Sequence, residues 1–543
     1  MISDDMHLSN SINPTARGTS LYWWGFCLLL GFIFVLRGQA VLQLYPAMEG
    51  FDEVQHTAYL MHLAEHRTLP VLGETRVPLS LYPEMANNPH SDLSMGQAGL
   101  VGALKYRHFF THHPTTNLQA EILLFQAQHP PVYYLLTWRL FDRIRTDVGY
   151  REAVYALRSI QLLLGAAALV LMLSTLPRLI RDPGIARLAA LAISLVPMNL
   201  IYILRVSNDA LAVLLASMVF VLLAHIRDDN MLLGKAVVIG LLLAAGAMTK
   251  TIAFLFLPVA VAFLFFLLFD RSFSRIRVLA SLVIVPLVYV ACCHRYHLAS
   301  KEKFGTMFPA LETIINAEKH HDLAALLGAI KPSDLWTFFL DRLIKNNVWK
   351  SGMTFLEPRE MWEWLVVAVL LVGVAGWVLR LARREDRKAL WRPEPGRYLL
   401  LCLLSVGATF AGAYVHGLNC RLAWGQLITP AYYVMVAFPA LLALAVYGLL
   451  GWPRRLVIVS LTLLAAAYIG AEFDSLLRIA VPYWTHSRDP AEIIVRLRLL
   501  GSTWTEPWLA VVWWSLAAVG LGIAISFTVQ SLRAHSSDNH ARS

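Results

Sequence analysis

Long apolar stretches of about 17 to 25 residues recur along the chain from Leu21 to Gln530, separated by polar segments of very unequal length. A helix rises about 1.5 Å per residue, so each stretch is long enough to cross roughly 30 Å of hydrocarbon. The Leu/Ala/Val runs do not alternate with period two, which excludes the ten-residue alternating strands of a membrane barrel. The pattern predicts spans over 21–44, 153–177, 188–204, 210–226, 232–248, 252–270, 278–294, 361–379, 398–416, 430–450, 456–472 and 508–530. The expected fold is therefore an all-α polytopic membrane protein with about 12 transmembrane helices.

The polar intervals divide the chain further. A tail over 1–20 precedes a transmembrane core over 21–294, which contains a long loop over 45–152. A second long loop over 295–360 follows, then C-terminal spans over 361–530 with a loop over 473–507, and a tail over 531–543. The three long loops fall on one face and every loop on the other face is short. Within the first long loop the spacing predicts helices from Glu53 to about His66 and from about Pro131 to Phe141, both apolar enough to lie along the membrane surface. A similar piece runs from Asp334 to Lys350, with Trp336, Phe338, Phe339 and Trp349 as interface anchors. No internal repeat or low-complexity tract is present, and no soluble domain is expected at either end.

Composition agrees with the pattern. Of 543 residues, 57% are hydrophobic and only 15% charged, with a mean hydropathy of +0.56. Soluble proteins carry about 25% charged residues, so a soluble globular enzyme is excluded. The net charge of +10 matters through its placement. The short-loop face holds about 20 Lys/Arg in about 80 residues, and the long-loop face about 24 in about 230. That asymmetry puts both termini in the cytoplasm and the long loops outside. The run Arg380, Arg383, Arg384, Arg387, Lys388, Arg392 and Arg397 is the strongest contribution, and its ordinary role is to fix topology beside anionic lipid. The first span lacks a small-residue cleavage site and reads as a retained helix. The five cysteines show neither CxxC nor metal-ligand spacing, which argues against a disulfide scaffold or zinc finger.

Candidate chemistry concentrates where the long-loop face meets the spans. Phe51-Asp52-Glu53-Val54-Gln55-His56 follows directly on the first span. On a helix beginning here, Asp52 and His56 are four apart and Glu53 and His56 three apart, so either carboxylate can share a face with the imidazole. A carboxylate at a partly desolvated interface suits a general base, although Asp and Glu also favour helix starts for purely local reasons. In Gln128-His129-Pro130-Pro131-Val132-Tyr133-Tyr134, Pro130 keeps His129 out of helical geometry and Pro131 suits a helix start, giving a rigid platform. Arg205-Val206-Ser207-Asn208-Asp209, Thr249-Lys250-Thr251 and Asn419-Cys420-Arg421 bring cations to the same face. They suit an anionic head group, with snorkelling as the competing reason for their position. Eight histidines in the first long loop (His56, His62, His66, His90, His108, His112, His113 and His129) admit a divalent metal ion, but without a signature spacing.

The order of these features resembles the GT-C superfamily of integral-membrane glycosyltransferases. The acidic pair of Phe51-Asp52-Glu53-Val54-Gln55-His56 comes immediately after the first span. His129-Pro130-Pro131-Val132-Tyr133-Tyr134 then precedes a train of spans. The chain is similar in this region to protein O-mannosyltransferases, lipid A aminoarabinose transferases and bacterial relatives, over roughly residues 20 to 270. Ser207-Asn208-Asp209-Ala210-Leu211-Ala212 and Thr249-Lys250-Thr251 look like features of one bacterial branch. The resemblance implies a polyprenyl-phosphate-linked sugar donor, a lipid or glycan acceptor on the extracytoplasmic face, and residence in a bacterial cytoplasmic (inner) membrane. It maps the base to Asp52 or Glu53, and gives His56 and His129 the part of orienting base or donor or joining a metal site. Lys250, Arg205 or Arg421 would hold the phosphate, with Tyr133, Tyr134, Asn208 and Asp209 beside the donor. One departure is clear: where the bacterial branch carries a glycine-arginine-tyrosine step, this chain reads Trp424-Gly425-Gln426-Leu427-Ile428-Thr429-Pro430. The alternative is a multi-pass transporter or lipid flippase. Carriers place ionisable residues near the bilayer midplane and show half-repeats, whereas Arg37, Arg158 and Lys235 lie close to the ends of their spans and no half-repeat is visible.

Overall fold

The structure is a computed structural model, described for residues 14–81, 83–84, 123–227, 229–334, 338, 348–349, 356–384, 393–427 and 431–542. The elements that position the candidate site are α1 (Pro14–Leu42), α2 (Glu53–His66), α3 (Val132–Asp147), α4 (Tyr150–Ser174), α5 (Pro183–Ser194), α6 (Pro197–Ile203), α7 (Asp209–Ala224), α8 (Leu232–Ala247) and α9 (Phe256–Leu267). They are followed by α10 (Arg275–Phe304), α11 (Leu311–Glu318), α12 (Leu323–Gly328), α13 (Glu360–Ala382), α14 (Pro393–Trp424), α15 (Phe438–Leu449) and α16 (Arg454–Phe473). The last three are α17 (Val481–Thr485), α18 (Pro490–Leu500) and α19 (Pro507–Arg542). Among the described residues no β-strand forms beyond the isolated bridge between Arg76 and Leu123.

Each of the twelve expected spans coincides with a helix or a helix pair. Seven of the described helices are long and apolar enough to cross a membrane, and α5 with α6, bent by 46°, makes an eighth if the pair counts as one span. The remaining expected spans are the shorter apolar helices α7, α8, α9 with its leading turn Thr251–Leu255, and α15. The α5–α6 bend sits at Pro197, which has no N–H to continue the ladder. Arg37 of α1 donates there to the Ser194 and Leu195 carbonyls at 2.9 and 3.1 Å and pairs with Glu472 of α16. A break that would leave backbone acceptors unsatisfied in hydrocarbon is thus filled by a side chain from a neighbouring span. At the α13–α15 crossing the backbones nearly touch: a Cβ on Gly376 would stand 2.1 Å from the Gly448 carbonyl oxygen. Small residues replace hydrophobic driving force at such membrane contacts.

Polar contacts sort the loops into two groups at opposite ends of the bundle. At one end Arg454 pairs with Asp182, Arg178 with Glu394, Arg397 with Asp270 and Arg277 with Asp229. At the other, Glu152 accepts from Thr503, Gln43 from Glu506 N–H, Gln128 from Leu311 N–H, and Asp334 from Arg421.

The first long loop is partly enclosed. Most of α2 is buried against Tyr133, Tyr134, Phe141 and α4, so it lies beneath the surface layer. In contrast, α3 buries Tyr133, Tyr134 and Phe141 but exposes Leu135, Leu136 and Leu140, the profile of a helix lying in an interface. The stretch 85–122, with His90, His108, His112 and His113, lies outside the described residues, as does most of 334–350 including Trp336 and Phe339.

Candidate active site at the long-loop end of the bundle

Polar segments at the start of α2, the start of α3, in α4, in the α6–α7 turn and in the turn after α8 meet at the C-terminal end of α1. The turn that follows α1 is built around Arg158 of α4, whose guanidinium donates to the Tyr45 and Pro46 carbonyls at 2.8 and 2.7 Å and to both Glu53 oxygens at 2.8 and 2.5 Å. Glu53 also accepts the Val206 N–H at 2.8 Å and is completely buried. With a bidentate cation and a backbone donor on its carboxylate, Glu53 ties α2, α4 and the α6–α7 turn together.

Asp52, one residue earlier, is placed differently. It occupies the N-cap position of α2 with a left-handed backbone (φ 56°, ψ 12°), and its side chain makes no capping hydrogen bond. Left-handed geometry is uncommon for a residue other than glycine and clusters at functional sites. A helix-start role for the Asp carboxylate is therefore not realised. Its side chain is partly exposed, and its charge reaches Lys250 and Tyr134. Gly50 allows the turn to close, because a Cβ there would stand 2.5 Å from Arg205 Cβ.

The α6–α7 turn supplies the cationic part. Arg205 donates to the Phe51 carbonyl at 2.6 Å and pairs with Asp209, which also pairs with Lys250 and accepts from Tyr202 at 2.5 Å. Asn208 donates to the Thr249 carbonyl at 2.7 Å, joining this turn to the one after α8. Lys250 is the less enclosed of the two cations, its side chain 6% accessible against 1% for Arg205.

The aromatic platform closes the remaining side. His129 is extended (φ −81°, ψ 143°), as its proline neighbour requires, and Pro131 takes the N-cap of α3 rather than its first turn. Val132 N–H donates to the Met248 carbonyl at 3.1 Å, which sets α3 against the Lys250 turn. The His129 ring stacks on His56 with centroids 5.8 Å apart. His56 Nδ1 lies 2.7 Å from the Tyr134 hydroxyl, and Tyr134 stacks on Tyr59 at 3.6 Å. Gln161 donates to the Tyr133 hydroxyl and to the Ser207 carbonyl, each at 2.6 Å. Burial holds His56 well below the ordinary imidazole range, reinforced by His129 and Arg205. Burial and then Lys250 push His129 down to about 3. Both imidazoles are neutral at pH 7, each offering one donor and one acceptor nitrogen.

The structure thus gathers Asp52, Glu53, His56, His129, Tyr133, Tyr134, Arg205, Asn208, Asp209 and Lys250 into one network. Arg421 goes elsewhere: it binds Asp334 through two hydrogen bonds of 2.8 and 2.6 Å and donates to the Ala329 carbonyl. Those bonds hold Asp334 down at about 2. Gln161 carries little signal in the sequence, being a lone glutamine in an apolar helix. Arg158 stood out only as a cation near a span interior. In the first long loop His62 and His66 lie side by side, ring centroids 4.7 Å apart.

A helical bundle with apolar spans and a buried polar network at one end defines a multi-pass integral membrane protein. The chain belongs to the DUF2142 family, described as a predicted membrane protein, whose model matches residues 34–415. No curated protein matches it. Among solved structures it is similar to the apo oligosaccharyltransferase of Archaeoglobus fulgidus, at 14% identity and a TM-score of 0.42, covering 90% of this chain and 60% of that one. It is also similar to ArnT from Cupriavidus metallidurans bound to undecaprenyl phosphate, at 12% identity and a TM-score of 0.30, covering 89% of this chain and 88% of that one. The chain spans about 60% of the length of the archaeal enzyme.

Proposed function

We propose that this protein is an inverting glycosyltransferase that moves a sugar from a polyprenyl-phosphate donor to an envelope lipid or glycan on the extracytoplasmic face of a bacterial inner membrane. The observation that carries the reading is the division of labour between adjacent carboxylates. Glu53 is locked on Arg158 and Val206, whereas Asp52 sits partly exposed in a left-handed turn without a capping hydrogen bond, its charge felt at Lys250. Asp52 is the residue we assign as base. It takes the proton of an acceptor hydroxyl or amine as that atom bonds to the anomeric carbon from the face opposite the phosphate. The carbon–oxygen bond to phosphate breaks with its electron pair on oxygen, and polyprenyl phosphate departs.

A phosphate leaving group needs charge stabilisation more than protonation. Lys250, with Arg205 behind it and Asp209 holding the two cations side by side, is the assigned phosphate contact. His56, His129, Tyr133, Tyr134 and Asn208 orient the donor and shape its pocket. Arg421 serves the second long loop through Asp334.

The test is mass spectrometry of lipids extracted from cells with and without the protein, grown where its pathway is expressed. Loss of the protein is expected to accumulate one polyprenyl-phosphate sugar, whose mass gives the sugar class. An unchanged donor pool would overturn the transferase reading and direct the work to transport assays.

A further inference from the structure

Away from this network, α11 of the second long loop lies against the final turns of α14. Asn316 donates to the Asn419 carbonyl at 3.0 Å and to its side-chain oxygen at 3.2 Å, and Lys319 donates to the Ala423 carbonyl at 3.0 Å. These contacts bring Glu312 over His416 and Cys420, which are four residues apart on one face of α14. Glu312 Oε1 lies 2.9 Å from His416 Nδ1, and His416 Nε2 lies 3.7 Å from Cys420 Sγ. One ligand atom from each residue falls within 4.8 Å of the others. Glu312 and Cys420 are buried at 5% and 1% exposure, while the His416 side chain keeps 25%.

We propose that Glu312, His416 and Cys420 form a binding site for one transition-metal dication of the Zn²⁺ class, which fastens the second long loop to the bundle. The proposal is independent of the transferase reading. Tetrahedral zinc with metal–nitrogen and metal–sulfur bonds near 2.05 and 2.3 Å sets its nitrogen and sulfur ligands about 3.5 Å apart, close to the spacing between His416 and Cys420. The donor set decides the class of ion. Sulfur and imidazole select Zn²⁺ or a neighbour in the first transition row over Mg²⁺ and Ca²⁺, which prefer oxygen. Charge agrees as well: a buried thiolate beside a buried carboxylate is electrostatically costly alone, whereas together they neutralise a dication. Binding expels the thiol proton to solvent. Three protein ligands leave a fourth position for water on the accessible side of His416.

The experiment uses the full chain in detergent, stripped with a chelator and titrated with Co²⁺. The expected result is one equivalent bound, with a thiolate-to-cobalt charge-transfer band in the near ultraviolet that Zn²⁺ abolishes by competition. Cys420→Ser should remove the band, Glu312→Gln should weaken Co²⁺ binding at least about tenfold, and Cys292→Ser, at an exposed thiol, should leave both unchanged. Absence of the band in the wild-type protein overturns the proposal without reference to any variant. So does a band that survives Cys420→Ser, or an affinity unmoved by Glu312→Gln.

Discussion

Adjacent carboxylates with opposite fates show how far a single residue's role depends on partners distant in sequence. Asp52 and Glu53 both read as base or helix start from spacing alone, and helical geometry adds only that they point about 100° apart. What separates them is Arg158, 105 residues further on, together with the Val206 N–H, and no local pattern announces either partner. The paired imidazoles give a residue-scale prediction. His56 and His129 are neutral in the folded protein because burial holds both below the ordinary range, but in the unfolded chain each takes a proton below about pH 6.5. The unfolded state then binds more protons, so their contribution is fully present above that pH and declines as pH falls beneath it. The thermal midpoint in detergent should therefore drop between pH 6.5 and 4, and His129→Asn should make the slope shallower. An identical slope in the variant would remove His129 from that explanation.

At the scale of elements, much was readable in advance. The α2 helix runs from Glu53 to His66 as its pattern implies, His129 is extended as its proline demands, and each apolar stretch falls on a helix or a helix pair. Register within a segment follows from local chemistry. Turns were harder, because their geometry is decided by what they touch: the Arg205 turn is fixed by Phe51, Glu53 and Lys250 through contacts that cross three loops. Arg421 shows the same limit, since its partner Asp334 lies in a loop whose path sequence does not reveal. Gly50 tests the turn directly. A methyl there meets Arg205 Cβ, so Gly50→Ala should displace the turn that carries Asp52 and lower donor turnover about 10²-fold, as an ångström of misplacement commonly does. Turnover within about twofold of wild type would show that the turn tolerates the displacement.

For the whole molecule, the two sets of loop contacts define two ends of one bundle, and we propose from the basic run between Arg380 and Arg397 that the short-loop end is cytoplasmic. On that proposal the site faces the opposite side. Exposed positions 272 and 488 lie at opposite ends, so a cysteine at Arg488→Cys should react with a membrane-impermeant maleimide on intact spheroplasts. One at Ser272→Cys should react only after permeabilisation. The reverse result would turn the molecule over and move the chemistry to the cytoplasm.

We propose that Asp52 acts on substrate while Glu53 holds the site together, and a paired comparison of Asp52→Asn with Glu53→Gln separates the two roles. Both variants are measured for donor turnover, from the lipid pools of cells, and for thermal stability in detergent. Asp52→Asn should fold with wild-type stability yet lose about 10²- to 10⁴-fold of turnover. Glu53→Gln leaves Arg158 charged and buried without its partner and should lose about 3–5 kcal/mol of stability. A stable Asp52→Asn protein that consumes donor at the wild-type rate would remove Asp52 as the base.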